Sequence, residues 1–219
     1  MKLSLILPLA LLLVVQRAAG DDIDAWLGPW RGGSPAHVSL VLDYRPALFA
    51  PLCTYGRDCA PPFMSAAAYQ TLGDRVQGAV LNRYDVLLAI LRVLLAEPRF
   101  AEVRMAVLVS NYVQPGVQRG ASILAGYRRL GDQGAQLLAL LQAIPPAGGA
   151  VPAHPFQPRH VFLELSRYLA GGAVLNGGAT ALNFAGSPAA PAQDLSIVAP
   201  GGGSYLAPLA HWGPCSRLH

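Results

Sequence analysis

After Lys2 the chain contains no lysine, charged residues of either sign make up only 13% of it, and cysteine occurs three times. The low charge, beside an apolar fraction of 53%, excludes an intrinsically disordered chain. The formal charge of +4 counts Lys2 and Arg17; without these two N-terminal residues, fourteen arginines face twelve acids. A balance that close to neutral excludes the electrostatic footprint of a nucleic-acid binder. The all-arginine usage is compositional, and we attach no mechanism to it. Beyond the N-terminus no stretch offers 18 apolar residues without a charge, so the mature chain is expected to carry no transmembrane helix.

The N-terminus has the parts of an export signal. Met1-Lys2 is a short basic start, and Leu3 to Val15 is an almost unbroken apolar run. Thirteen helical residues span roughly 20 Å, too short for a hydrocarbon core of about 30 Å. Ala18-Ala19-Gly20 supplies small residues at a cleavage site, and Asp21-Asp22 follows. Residues 1–20 therefore read as a cleaved signal peptide, with the mature chain starting at Asp21.

Export places Cys53, Cys59 and Cys215 in an oxidising space. The five residues "TYGRD" between the first two contain Gly56, which helps a small ring close, so the expected disulfide is Cys53–Cys59; Cys53–Cys215 is the competing pairing. The odd cysteine, Cys215, then stays unpaired or finds its partner outside this chain.

Further along, Val38 to Leu42 is a continuous apolar run with β-branched members, the pattern of a strand covered on both faces. Pro46 stops it from extending as a central strand. "SAAAYQTL" predicts one or two helical turns. A longer helix is expected over Val76 to Ala96, with Val76, Val80, Tyr84, Leu87, Leu88, Leu91 and Leu95 as its apolar stripe and Glu97-Pro98 as its end. Val103 to Asn111 is a second strand-like run, and strand, helix, strand is the signature of a parallel pair. Ala121 to Arg128 predicts an edge strand, Gln133 to Ile144 a helix capped by Asp132 and stopped by Pro145-Pro146, and "RHVFLELSRYLAGG" an amphipathic helix closed by Gly171-Gly172. From Ala173 to Gly203, Gly, Ala, Pro, Asn and Ser dominate, which predicts a long irregular loop.

Catalytic patterns are missing. His37, His154, His160, His211 and His219 show no metal-ligand spacing and read as loop or helix-face residues. Ser110 lacks the flanking glycines of a nucleophile elbow, the glycines near Gly177 and at Gly201 to Gly203 lack the Lys-Ser/Thr of a phosphate loop, and no Cys-x-x-Cys occurs. The reading is a non-enzyme with no cofactor. One residue holds a site-like position: Asp43 ends the first strand, where open α/β sheets bind ligands. Set against that is a plain surface pair of Asp43 with Arg45, which would contribute little.

The order of a strand ending in Asp43, a long helix, "VRMAVLVS", the loop Gly148-Gly149-Ala150-Val151-Pro152 and a helix ending "RYLAGG" resembles a von Willebrand factor A domain. More narrowly, "LVLDYRPALFAPLC", "APPFMSAAAY", "LSRYLAGGAVLNGG" and "SYLAPLAHWGPCSR" resemble the N-terminal region of PilY-type proteins, assembly factors and tip adhesins of type IV pili. The resemblance covers nearly all of the mature chain. It implies an α/β, Rossmann-like but incomplete von Willebrand A-like sheet with flanking helices over 21–172, followed by an irregular Gly/Ala/Pro-rich loop and tail over 173–219. Members of that family continue into a calcium-binding β-propeller that modulates pilus extension, so the domain reads as truncated. The implied role is fimbrium biogenesis and adhesion in the periplasm, at the outer membrane surface or at the pilus tip. Partners would be minor pilins, other pilus components or a host or surface receptor. The runner-up is a periplasmic small-molecule-binding α/β domain using the Asp43 cleft.

The resemblance also implies a metal-ion-dependent adhesion site of the form Asp-x-Ser-x-Ser, a threonine in the Gly-Gly loop and a later aspartate. Only Asp43 keeps its identity here. Arg45 and Ala47 stand in the serine positions, Ala150 stands in the threonine position, and the strand carrying the later aspartate would fall after His219. A guanidinium about 4 Å from a divalent cation repels it by roughly 8 kcal/mol at an effective dielectric near 20. The expectation is therefore a degenerate site without metal, in which Arg45 takes the cation's place beside Asp43.

Overall fold

The structure is a computed structural model, and it describes residues 36–61, 65–72, 78–110, 121–146, 158–175 and 191–208. The expected signal peptide, Ala150, His154, Gly177, His211, Cys215 and His219 lie outside the described residues. The architecture is mixed α/β, a small mixed sheet with helices on its faces. Among the described residues no helix is long and apolar enough to cross a membrane.

Strand β1 (His37–Leu42) runs parallel to the strand at Arg104–Ser110, in register from His37 opposite Arg104 to Leu42 opposite Val109. Between them lie β2 (Pro51–Thr54), α1 (Ala66–Gln70), β3 (Val80–Asn82) and α2 (Arg83–Ala96), so the Arg104–Ser110 strand is β4. β5 (Ala121–Arg129) returns antiparallel to β4, giving the order β1-β4-β5, and α3 (Leu130–Gln142) and α4 (Pro158–Ala170) follow. The unbroken apolar run in β4 has the cause expected of it: Met105 to Ser110 are all buried, because β4 is the middle strand and carries packing on both faces.

On one face α2 and α3 enclose a core containing Tyr84, Leu91, Val107, Val109, Leu137 and Leu141. On the other face α4 and the segment 191–206 cover Ala106, Leu108 and Ile123 with Val161, Tyr168, Ile197 and Tyr205. The latter segment contains no strand and only one 3-10 turn, Leu195–Ile197. It is nonetheless packed: Ile197 and Tyr205 are buried and its backbone bonds to β5. A third cluster joins Cys53, Tyr55 and Cys59 to α1 and to the Val86 and Ala89 side of α2.

Several boundaries differ from the sequence reading. The long helix begins at Arg83, not Val76, because Asn82 closes a capping box: its side chain accepts from Asp85 N–H (2.8 Å) while Asp85 Oδ2 accepts from Asn82 N–H (3.0 Å). Val80 leaves the helical stripe and stands exposed on β3, antiparallel to β2, a two-stranded sheet that the apolar periodicity hid. Tyr84, Leu87, Leu88, Leu91 and Leu95 do face the first core, and the helix ends at Glu97 before Pro98. Asp132 lies inside the first turn of α3 instead of capping it, since the helix follows directly from β5 at Leu130. His37 is neither a loop nor a helix-face residue: it opens β1, is buried, and packs edge-on against the Tyr127 ring at 5.3 Å. α4 closes as its glycines require, with Gly171 at φ +69° and Gly172 N–H donating to Arg167 C=O (2.8 Å).

Candidate functional site

The chain leaves β1 at Asp43 beside the end of β4, and Ser110 Oγ accepts a hydrogen bond from Tyr44 N–H at 2.9 Å. That bond ties the carboxyl ends of the two parallel strands together, so Ser110, buried, has a structural role here. Tyr44 turns inward, donates its hydroxyl to Pro145 C=O (2.8 Å), and is pushed up to about 12 by burial. Its ring meets Phe49 edge-on at 5.6 Å, and Phe49 meets Tyr84 at 5.3 Å. Tyr84 donates to Leu141 C=O (2.7 Å), so an aromatic row anchors the strand-end loop to α3.

Asp43 and Arg45 face outward from this anchor. Arg45 Nε donates to Asp43 Oδ2 at 2.7 Å, a terminal guanidinium nitrogen donates to the same oxygen, and both side chains keep about a third of their surface in water. At that exposure the pair adds little to stability, so its weight lies in what it does to the site. It occupies one carboxylate oxygen with a cation. Asp43 Oδ1 is buried and meets no hydrogen-bond partner among the described residues. Ala47, exposed in the 3-10 turn Pro46–Phe49, brings no oxygen to this corner. Among the described residues no three His, Cys, Asp or Glu side chains come together as a metal would need.

Cys53 and Cys59 are joined as a disulfide with Cα atoms 5.3 Å apart. The ring closes through Gly56 at φ +79°, and Asp58 Oδ1 accepts from Thr54 N–H (2.7 Å). Both cysteines are buried against Leu72, Leu81 and Val86.

Two grooves formed by described residues lie elsewhere. One, of about 410 Å³, runs between α1, α2 and the end of α3 and is lined by Phe49, Thr71, Leu72, Asp85, Leu88 and Arg92 among others. Its guanidinium, Arg92, donates to Thr71 C=O at 2.8 Å. The other, of about 350 Å³, is lined by Arg104, Arg128, Arg129, Asp132, Gln133 and Asp194. Neither groove is lined by Asp43 or Arg45, so both lie apart from the strand-end cleft that sequence reasoning singled out.

Sequence reasoning missed a polar cluster at the outer side of β5. Asp194 accepts from Gly126 N–H (2.9 Å), an Arg128 guanidinium nitrogen (2.8 Å) and Ser196 N–H (3.0 Å). Burial works against its charged form, but the Ser196, Gly126 and Arg128 donors outweigh it and hold the carboxyl below its ordinary 3.8. Nearby, fully buried Glu164 on α4 accepts from Tyr205 hydroxyl and from Leu175 N–H (3.2 Å). Burial and the Glu164 carboxylate raise the Tyr205 phenol. The signal for this cluster was Asp194-Leu195-Ser196, an Asx-turn pattern inside a segment read as featureless.

No protein family, curated protein or solved structure matches the chain.

Proposed function

We propose that the chain is an exported, non-enzymatic binding domain of the PilY-type class, acting in type IV pilus biogenesis and adhesion with a degenerate adhesion site. The observation that carries this reading is the Arg45 guanidinium on Asp43 Oδ2. In a von Willebrand A-like site the strand-end aspartate serves a divalent cation. With arginine on that oxygen, recognition passes to the protein surface around the corner, and minor pilins or other pilus components are the partners the resemblance implies. The parallel β1-β4 pair, the antiparallel β5 and the helices on both faces support the reading at the level of architecture. The test is affinity capture of the exported chain from piliated cells, together with counts of surface pili in a deletion strain. Specific recovery of minor pilins and loss of pili are expected; capture without minor pilins, together with an unchanged pilus count, would refute the role.

The groove at Arg92 favours a second reading, a periplasmic small-molecule-binding domain, because its volume falls in the range of ligand pockets and its lining mixes apolar side chains such as Phe49 and Leu88 with Asp85 and Arg92. A stable stoichiometric complex of the purified chain with a small molecule, abolished by Arg92→Ala, would decide for it.

A further inference from the structure

Where β4 begins and β5 runs into α3, three arginines gather around the groove of about 350 Å³. Arg104 and Arg129 stand directly opposite each other in the antiparallel register, so their side chains share one face of the sheet. Like charges placed this way repel, and each calls for an anion. Arg129 has two. Its Nε and one terminal nitrogen donate to the two carboxylate oxygens of Glu102 (3.1 Å from Nε), and its other terminal nitrogen donates to Asp132 at 3.2 Å. Arg128 is likewise engaged, with one terminal nitrogen on Gln133 Oε1 (2.9 Å) and the other on Asp194 (2.8 Å). Arg104 differs: it is exposed at the first position of β4, and among the described residues its guanidinium makes no hydrogen bond or ion pair. Glu102 feels its charge but gives both oxygens to Arg129.

A second donor is left over in the same lining. The bond from Arg128 holds the Gln133 amide by its oxygen, and the amide N–H groups at the other end meet no acceptor among the described residues. The walls that carry these donors are fixed from four sides. β4 and β5 are laddered together, α3 is tied back by Leu130 N–H to Val103 C=O and Gly131 N–H to Ala101 C=O (2.9 Å each), and the segment 191–206 is tied to β5 by Asp194 N–H to Ile123 C=O (2.8 Å). A groove held in this way exists before a ligand arrives, which removes most of the ordering cost of binding.

We propose that this groove binds the carboxylate of a small hydroxy acid or amino acid, with Arg104 as the receiving cation and the Gln133 amide as a neutral donor beside it. A guanidinium presents paired N–H groups that match the two oxygens of a carboxylate. One uncompensated cation calls for one negative charge, and the Asp132 and Asp194 carboxylates in the same lining repel a second, which sets a carboxylate ahead of a phosphate dianion. The same two acids ask for hydrogen-bond donors on the rest of the ligand, and Asp132, 59% exposed, is the one open to it. Hydroxyl or ammonium groups meet that demand and a long apolar body does not. The volume stands near the lower end of the ~300–1,000 Å³ of ligand pockets, in keeping with a small solute. This site is separate from the Arg92 groove and stands independently of the pilus reading.

Amide NMR of the isotopically labelled exported chain tests this, with acetate, lactate and inorganic phosphate as probes and sodium chloride holding ionic strength constant. Acetate is expected to shift the amides of Gly126, Tyr127 and Gln133 to saturation with a Kd of about 1–10 mM, as its four non-hydrogen atoms allow, and lactate to bind more tightly through its hydroxyl. Arg104→Ala is expected to weaken both about tenfold or more, the loss of a charge-assisted contact. Because Arg104 is exposed and opposes Arg129, its melting temperature should hold or rise. Arg104→Lys keeps the charge without the paired donors and is expected to weaken binding with an unchanged spectrum of the free protein, so the test does not depend on the alanine variant folding. Arg57→Ala, which removes an exposed arginine that does not line the groove, is expected to bind as wild type does. Shifts that do not saturate, saturation confined to other residues, or an Arg104→Ala chain that binds acetate as tightly as wild type each overturn the site. Phosphate binding more tightly than acetate overturns the carboxylate class.

Discussion

Replacing Asp194 by alanine removes the group that finishes the outer edge of β5. Its carboxylate serves Gly126 N–H, Arg128 and Ser196, and its side chain is only 6% exposed. Arg128 keeps about a third of its surface in water and a second acceptor in Gln133 Oε1 (2.9 Å), so it loses little. Gly126 N–H is buried, and an unsatisfied buried donor costs about 1–3 kcal/mol. With the Ser196 turn loosened as well, the loss should be about 2–4 kcal/mol, a large part of a total of about 5–15 kcal/mol. Urea denaturation should show the midpoint fall by about 1–2 M at an m-value near 2 kcal/mol/M. The pH dependence gives an independent reading. The folded carboxyl sits below 3.8, so the unfolded chain binds more protons; the stabilisation is complete above 3.8 and is lost as pH falls through the folded value. Asp194→Asn should therefore flatten the acid limb of the stability curve relative to wild type. A loss below about 0.5 kcal/mol for the alanine variant, or identical acid limbs for wild type and Asp194→Asn, would refute the argument.

Three further outcomes are expected. Titration calorimetry with Mg²⁺ or Mn²⁺ should show no stoichiometric site, and Arg45→Ser alone should not create one, because Ala47 and Ala150 still offer no side-chain oxygen; a micromolar site would contradict the degenerate reading. Peptide mapping of unreduced exported protein should recover Cys53 joined to Cys59, and replacing both with serine should cost about 2 kcal/mol for so short a ring. A Cys59–Cys215 peptide would overturn that pairing. Gly126→Ala should destabilise well beyond the usual glycine-to-alanine range, since an added Cβ would stand 2.3 Å from Ile197 Cγ2 and 2.7 Å from the Tyr168 hydroxyl; an unchanged melting temperature would mean that 191–206 is not packed as described.

What could be read in advance followed from strong local signals. β1 and β4 were legible because apolar runs with β-branched residues flank a helix, and the end of α2 was legible because Pro98 excludes helical geometry at Glu97. The start of α2 was not, because Val80 continues the helical spacing while the Asn82–Asp85 capping box and the pairing of β3 with β2 decide the boundary. Of the candidate site, the contact of Asp43 with Arg45 was legible from a two-residue spacing beside a strand end. Of the Asp194 cluster only the Ser196 turn had a local signal; the Arg128 and Gly126 donors lie 66 and 68 residues away in the chain, where no local periodicity reports on them.

That separation also sets a sequence of events during synthesis. β5 pairs with β4 as soon as residues 104–129 are made, but its other side waits for Gln193 and Asp194, some 70 residues later. If the chain folds as it emerges at about 5–20 residues per second, β5 spends several seconds as an open edge, longer than a hairpin takes to form by many orders of magnitude. During that interval the outer side of β5 is sticky, and the chain is vulnerable to misassembly there. The docking of 191–206 is thus the step that covers the outer side of β5, and slowing it should lower the yield of folded protein without altering the stability of what folds.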